Sequence, residues 1–68
     1  MTKFGNRLKE LRSEKGLSQH ALALEIQYSQ QVISNWETED AEPTASAIVA
    51  VAEYFDVSTD YLLGKKDI

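Results

Sequence analysis

The chain has 68 residues, no cysteine, and a net charge of −4 that comes from 7 basic and 11 acidic side chains. This length allows one domain near the lower size limit for a stable core, and it leaves too little wall for a deep enzyme cleft. Without cysteine there is neither a disulfide framework nor a cysteine metal site, which suits a reducing, cytoplasmic location. The longest apolar run, at 47–52, is far shorter than the roughly 20 residues of a membrane span.

The charge is distributed unevenly along the chain. Residues 1–15 carry five basic and two acidic groups, residues 16–64 carry eight acidic groups and no Lys or Arg, and residues 65–68 add two Lys and one Asp. A negative net charge argues against simple attraction to nucleic acid. We therefore expect any attraction to phosphate to come from the first helix and the C-terminal tail.

Helix start and stop signals divide the chain into five predicted helices, at about 3–15, 18–26, 29–37, 44–56 and 58–63. Gly16 and Gly64 follow the first and last helices, where a left-handed residue usually ends a helix. The other four helices begin at residues that favour the N-cap position: Ser18, Ser29, Thr44 and Ser58. No stretch has the alternation of a β-hairpin, so we expect an all-α fold.

Apolar residues recur at helical spacing in each predicted helix, which indicates one buried face per helix. The expected core positions are Phe4, Leu8, Leu11, Leu22, Ala23, Ile26, Ile33, Trp36, Ile48, Val51, Ala52 and Phe55. Because Trp36 lies three residues after Ile33 on the apolar face, we expect it in the core rather than stacked on a base. Leu24 falls off the inner face of the second helix, so it either extends the core or forms a subunit contact.

The segment from Leu17 to Glu37 contains two short helices joined by about three residues, which is the spacing of a helix-turn-helix. The third helix has an apolar face and an opposite face that carries three amides and a hydroxyl: Gln30, Gln31, Ser34 and Asn35. Amides pair bidentately with adenine N6 and N7, at roughly 1–3 kcal/mol of discrimination each. The pattern predicts a recognition helix that buries one face and presents the other to base edges in the major groove.

Three segments in order, FGNRLKELRSEKGLSQ, ISNWE and AEYFDVSTDYLLG, resemble the Cro/C1-type (XRE) helix-turn-helix family of phage and bacterial repressors, from Phe4 to Gly64. The third helix is similar to the recognition helix of the phage 434 repressor. The resemblance implies a compact five-helix, lambda-repressor-like DNA-binding domain over residues 1–68. It also implies a repressor that binds operator half-sites on double-stranded DNA as a homodimer, without a cofactor.

The same resemblance implies a role for each matched polar residue. The residues expected to contact base edges are Gln30, Gln31 and Ser34. The DNA backbone is expected to contact Gln19, Ser18, Asn35, Arg12 and Ser29.

The chain departs from the family pattern in four places. Gln27 stands where the turn usually has glycine, and a non-glycine residue in left-handed geometry costs about 1–2 kcal/mol. Residues 38–42 are acidic where the family has glycine and basic residues, which predicts weak attraction to phosphate. The third helix has no Lys or Arg. In the other helices, apolar residues such as Leu24 of the second helix stand where the family usually has polar ones.

The acidic stretch keeps a second interpretation open: a protein-interaction module, such as an antirepressor or a partner-binding subunit, with weak DNA binding on the same fold. His20 has no second ligand at metal spacing, so we expect a surface residue and no metal site. No nucleophile, base and orienting group occur together, so the sequence predicts neither an enzyme nor a small-molecule ligand.

Overall fold

The computed structural model describes residues 3–67, which form five α-helices and no strand. The helices are α1 Phe4–Glu14, α2 Gln19–Ile26, α3 Gln30–Thr38, α4 Ala45–Phe55 and α5 Thr59–Leu62. Each bound lies within one residue of the prediction, so the all-α, five-helix expectation is confirmed. No helix of this part of the chain is long and apolar enough to cross a membrane.

Side-chain caps determine where four of the five helices begin. In each case a Ser or Thr oxygen accepts a hydrogen bond from the backbone N–H three residues later, at 2.9–3.1 Å. The four caps are Ser18, Ser29, Thr44 and Ser58. Each cap satisfies a helix N–H that has no partner within the helix, and such a cap stabilises the helix by about 1 kcal/mol. All four predicted N-caps are confirmed.

Three helices end at a non-glycine residue in the left-handed region: Gln27 (φ 63°), Glu39 (φ 65°) and Asp56 (φ 57°). The left-handed geometry expected of Gln27 is confirmed. Gly16 (φ 72°) and Gly64 (φ 80°) confirm the two predicted glycine stops. Because a side chain in this region carries strain of about 1–2 kcal/mol, α2, α3 and α4 end with a local cost that glycine would remove.

The core lies where the five helices meet. Its buried apolar side chains are Phe4, Leu8, Leu22, Ala23, Ile33, Trp36, Ala47, Val51, Ala52 and Leu62. Trp36 is only 5% exposed, and its ring meets those of Phe4 and Tyr28 edge-on, with centroids 5.8 Å and 5.1 Å away. The core position expected of Trp36 is therefore confirmed. Four other expected core residues are partly buried and pack around this cluster: Leu11, Ile26, Ile48 and Phe55.

Gly5 allows α1 to approach the end of α3 closely. A Cβ atom on Gly5 would collide with the carbonyl oxygen of Trp36 and would lie 3.1 Å from that of Glu37. Both oxygens belong to the backbone and cannot move away as a flexible side chain can. Gly5 lies inside a helix, where no turn or helix end draws attention to a glycine, so the sequence did not indicate this role.

Leu24 lies on the outside of α2, with 67% of its surface exposed. Of its two expected roles, extension of the core is therefore wrong. The physical reason is that the inward face of α2 is already filled by Leu22 and Ala23, and Leu24 points away from both. Val49 on α4 is also exposed, at 46%.

Candidate nucleic-acid interface

The turn between α2 and α3 is held at both ends. Gln27 takes the left-handed conformation that ends α2, and the N–H of Tyr28 donates to the carbonyl oxygen of Ala23 at 3.0 Å. The Tyr28 ring then packs against Trp36, and Ser29 caps α3. The angle between α2 and α3 is therefore fixed by backbone hydrogen bonds and by packing.

The outer face of α3 is polar and accessible. Gln30 and Gln31, the first two residues of the helix, are exposed, while Ser34 and Asn35 are partly exposed. On the opposite face, Ile33 is fully buried. The structure thus brings together the four residues that the sequence placed on one face, and their groups are amides and a hydroxyl.

The two glutamine amides on this face differ in whether a hydrogen bond restrains their side chains. The Nε2 group of Gln31 donates a hydrogen bond to Oδ1 of Asn35 at 3.0 Å. Within residues 3–67, no hydrogen bond joins the Gln30 side chain to another residue. Gln30 can therefore turn toward a partner without breaking a contact, whereas Gln31 is held.

Arg12 is engaged with protein atoms beside the helix-turn-helix. Its Nε and Nη2 groups donate to the two carboxylate oxygens of Glu37 at 2.6 Å and 3.0 Å, and Nη1 donates to the carbonyl oxygen of Leu17 at 2.8 Å. The hydrogen bond with Glu37 raises the pKa of Arg12 above its ordinary value, against the opposing effect of burial. Because these contacts use three of the five guanidinium N–H groups, two are left for the phosphate contact predicted from the sequence.

Gln19 shares the same carboxylate. Its Nε2 group donates to Oε1 of Glu37 at 3.0 Å, which directs the side chain along the junction of α2 and α3. Ser18 and Ser29 lie at the two helix starts, where their oxygens accept the capping hydrogen bonds. The O–H group of each serine is still able to donate outward.

Glu37 is the residue of this region that the sequence analysis missed. Its side chain is 3% exposed, and it connects α1, α2 and α3 through Arg12 and Gln19. A signal for it existed, because Glu37 lies four residues after Ile33 and so falls on the inward face of α3. A carboxylate on a buried face requires a cation or several donors, and the sequence offered Arg12.

Two cations, Arg7 of α1 and Lys15 directly after it, contact aromatic rings of α5 and α4. The Arg7 guanidinium lies 4.1 Å from the ring centroid of Tyr61, and Lys15 Nζ lies 5.0 Å from that of Tyr54. Arg7 also donates to the carbonyl oxygen of Lys66 at 3.3 Å. These contacts hold two of the cations from which we expected electrostatic attraction to phosphate.

Acidic residues follow α3, as the sequence indicates. Glu39, Asp40 and Glu42 are exposed, and Oδ2 of Asp40 lies 2.9 Å from the Thr38 hydroxyl oxygen. No group of His, Cys, Asp or Glu within residues 3–67 has the arrangement of a metal site. His20 is exposed on α2, as expected.

A family model described as helix-turn-helix matches residues 8–62. The chain belongs to the helix-turn-helix family of Cro/C1-type (XRE) regulators. Among relatives in this family, the HTH-type transcriptional regulator ImmR of Bacillus subtilis (strain 168) is 34% identical over 65 residues, which are 96% of this chain and 51% of ImmR. The SPbeta prophage-derived HTH-type transcriptional regulator YonR of the same organism is 37% identical over 60 residues, which are 88% of this chain and 56% of YonR. The chain thus spans about half the length of these two helix-turn-helix proteins.

Solved structures of helix-turn-helix proteins superpose on almost the whole chain. The P22 c2 repressor, in complex with a synthetic operator, gives a TM-score of 0.87 at 29% identity and covers 97% of this chain and 100% of its own. The restriction-modification controller protein C.AhdI from Aeromonas hydrophila gives 0.80 at 33% identity, over 90% of this chain and 92% of its own. The lambda-repressor-like fold predicted from the sequence is therefore confirmed.

Proposed function

We propose that this chain is a sequence-specific, DNA-binding transcriptional regulator of the phage or prophage repressor type. The observation that carries the proposal is the exposed amide face of α3, presented by a helix-turn-helix whose turn is fixed at both ends. The names of the relatives support it, since ImmR and YonR are called transcriptional regulators. The P22 c2 repressor, which shares the fold, has been solved with a synthetic operator.

In this proposal α3 enters the major groove of double-stranded DNA, and the mechanism is binding rather than chemistry. Gln30, Gln31 and Ser34 contact base edges, because their side chains lie on the outer face of α3. The proposed backbone contacts come from the helix starts and their neighbours: Ser18, Gln19, Ser29, Asn35 and Arg12. Such contacts fix the register of the protein on the duplex but do not themselves read sequence.

Electrostatics make a homodimer the expected DNA-binding form. The amide face has no cation, the exposed acidic residues after α3 repel phosphate, and Arg7 and Lys15 contact the rings of α4 and α5. Attraction of a single copy to phosphate is therefore left mainly to exposed lysines away from α3, such as Lys9 and Lys65. Two copies on half-sites about 34–36 Å apart combine two weak contacts into one stable complex.

The test is selection of duplexes from a random pool at low salt, followed by gel-shift titration of the selected sequence. We expect the wild-type chain to enrich one motif, and the variant Gln30→Ala/Gln31→Ala to lose the preference for it while its circular dichroism is unchanged. Ser46→Ala is the matched control, because Ser46 is an exposed polar residue at the start of α4. Failure of the wild-type chain to enrich any motif would overturn the proposal and favour a protein-interaction module.

A further inference from the structure

Two side chains on the outer face of α3 are joined to each other. Nε2 of Gln31 donates to Oδ1 of Asn35, one helical turn later, at 3.0 Å. Hydrogen bonds also fix the backbone of Asn35. Its carbonyl oxygen accepts the N–H of Asp40 at 2.9 Å and that of Ala41 at 3.3 Å. The Gln31 amide therefore pairs with a residue whose backbone is fixed.

This hydrogen bond changes what the Gln31 amide offers to a base. A carboxamide has two N–H donors and one carbonyl oxygen, and one of these donors is given to Asn35. In the major groove adenine presents one acceptor and one donor, N7 and N6–H, whereas guanine presents two acceptors, N7 and O6. The oxygen and the remaining N–H of Gln31 match adenine. They do not match guanine, because a two-point contact with guanine requires both N–H groups.

The hydrogen bond also limits the orientation of the amide. Gln31 is exposed, and an exposed glutamine without a partner samples many rotamers, including those that exchange the positions of its oxygen and nitrogen. With Nε2 held by Asn35, the donor end of the amide stays near Asn35 and the oxygen stays on the other side. A side chain ordered before binding loses less entropy when it meets its base.

We propose that Asn35 is a positioning residue. By orienting the Gln31 amide, it makes Gln31 select adenine over guanine at one base pair of the operator. The proposal rests on the DNA-binding function proposed above, and it goes further by naming the base and the residue that selects it. Asn35 acts through Gln31 here, and its own Nδ2 hydrogens stay available for the predicted phosphate contact.

The test measures base preference for single variants. Kd is measured for the duplex that the wild-type chain selects and for duplexes in which each base pair is replaced in turn. We expect Gln31→Ala to lose roughly 5- to 100-fold of discrimination at one adenine, which is the size of a bidentate contact. We expect Asn35→Ala to lower the adenine-over-guanine ratio at that same base pair by up to about twofold, the size of an exposed amide pair one helical turn apart, because the freed N–H of Gln31 then contacts guanine.

Double variants provide the control. Gln31→Ala/Asn35→Ala should lose no more preference at that base pair than Gln31→Ala alone, because Asn35 acts there only through Gln31. In Gln30→Ala/Asn35→Ala the changes in binding free energy of the two single variants should add, because no hydrogen bond joins these side chains. Circular dichroism of each variant shows whether the fold is kept.

Two results would overturn the proposal. The first is that Asn35→Ala weakens binding equally for all duplexes, with an unchanged adenine-over-guanine ratio, as expected of a phosphate contact alone. The second is that Gln31→Ala loses preference at a guanine or at no base pair. If the wild-type chain selects no duplex at all, the DNA-binding function itself fails, so the two failures are distinguishable.

Discussion

Arg12 and Glu37 form an ion pair that joins α1 to the last turn of α3. Two contacts connect them, Nε to Oε2 at 2.6 Å and Nη2 to Oε1 at 3.0 Å. Their side chains are only 14% and 3% exposed, so solvent and salt screen the pair weakly. Since Glu37 also accepts from Gln19, one carboxylate holds three helices in register around the helix-turn-helix.

Removal of this carboxylate should weaken the whole fold. We expect Glu37→Ala to lower the free energy of unfolding by about 3 kcal/mol, because it leaves the Arg12 charge and the Gln19 donor without a partner. Urea unfolding followed by circular dichroism measures the change. The double variant Arg12→Met/Glu37→Leu is the control, and it should lose less, because no unpaired charge is left. A loss below about 1 kcal/mol for Glu37→Ala would mean that the pair behaves as an exposed one.

The contact at Gly5 predicts a second destabilising substitution. Gly5→Ala should lower the free energy of unfolding by about 1–3 kcal/mol, because the new methyl group forces α1 away from the end of α3. Asn6→Ala is the control, since Asn6 is the exposed neighbour on the same helix and its loss should change stability by less than about 0.5 kcal/mol. Thermal unfolding of the two variants under the same conditions compares them. Equal stability of both variants would contradict the close approach.

The left-handed residue at the end of α2 predicts a stabilising substitution. Gln27→Gly should raise the free energy of unfolding by about 0.5–1 kcal/mol, because glycine adopts φ 63° without the clash that a Cβ atom makes. The gain is smaller than the strain removed, since glycine loses more conformational entropy on folding. Urea unfolding measures the gain. His20→Gly is the opposite control: the same residue is introduced at an exposed position in the first turn of α2, where it should destabilise by up to about 0.5 kcal/mol. A loss of stability in both variants would show that Gln27 is not strained.

The acidic residues after α3 predict a gain in DNA affinity on charge reversal. Glu42→Lys should tighten binding at low salt and steepen the salt dependence by up to about 0.9 in the slope of log K against log salt, for one added phosphate contact. Fluorescence anisotropy of a labelled duplex at several salt concentrations measures both quantities. Glu53→Lys carries the same charge change on the exposed side of α4 and serves as the control. Identical slopes for the two variants would mean that residues 38–42 do not approach the DNA backbone.

The helices and their ends were predictable because their signals are local. Ser18, Ser29 and Thr44 are short polar residues directly before apolar periodic segments, and each caps its helix as expected. The strain at Glu39 and Asp56 was not predictable in the same way. Neither residue is a glycine, so no sequence signal marks their left-handed conformation, which follows from the path the chain takes to the next helix.

At the candidate interface the sequence indicated which residues share a face but not which atoms they commit to one another. The amide face of α3 follows from helical periodicity alone. The contacts of Arg12 with Glu37, and of Gln31 with Asn35, depend on side-chain rotamers and on the packing of α1 against α3. These contacts decide which donors are left for DNA.

Trp36, the single tryptophan of the chain, lies between Phe4 of α1 and Tyr28 of the turn. Its indole is therefore a built-in optical reporter at the junction of the scaffold and the recognition unit. Separation of α1 from α3, or release of the turn, exposes this ring to water and changes its emission. Because the ring faces the core and the amides of α3 face outward, the same fluorescence separates loss of the fold from loss of base contacts, without any added label.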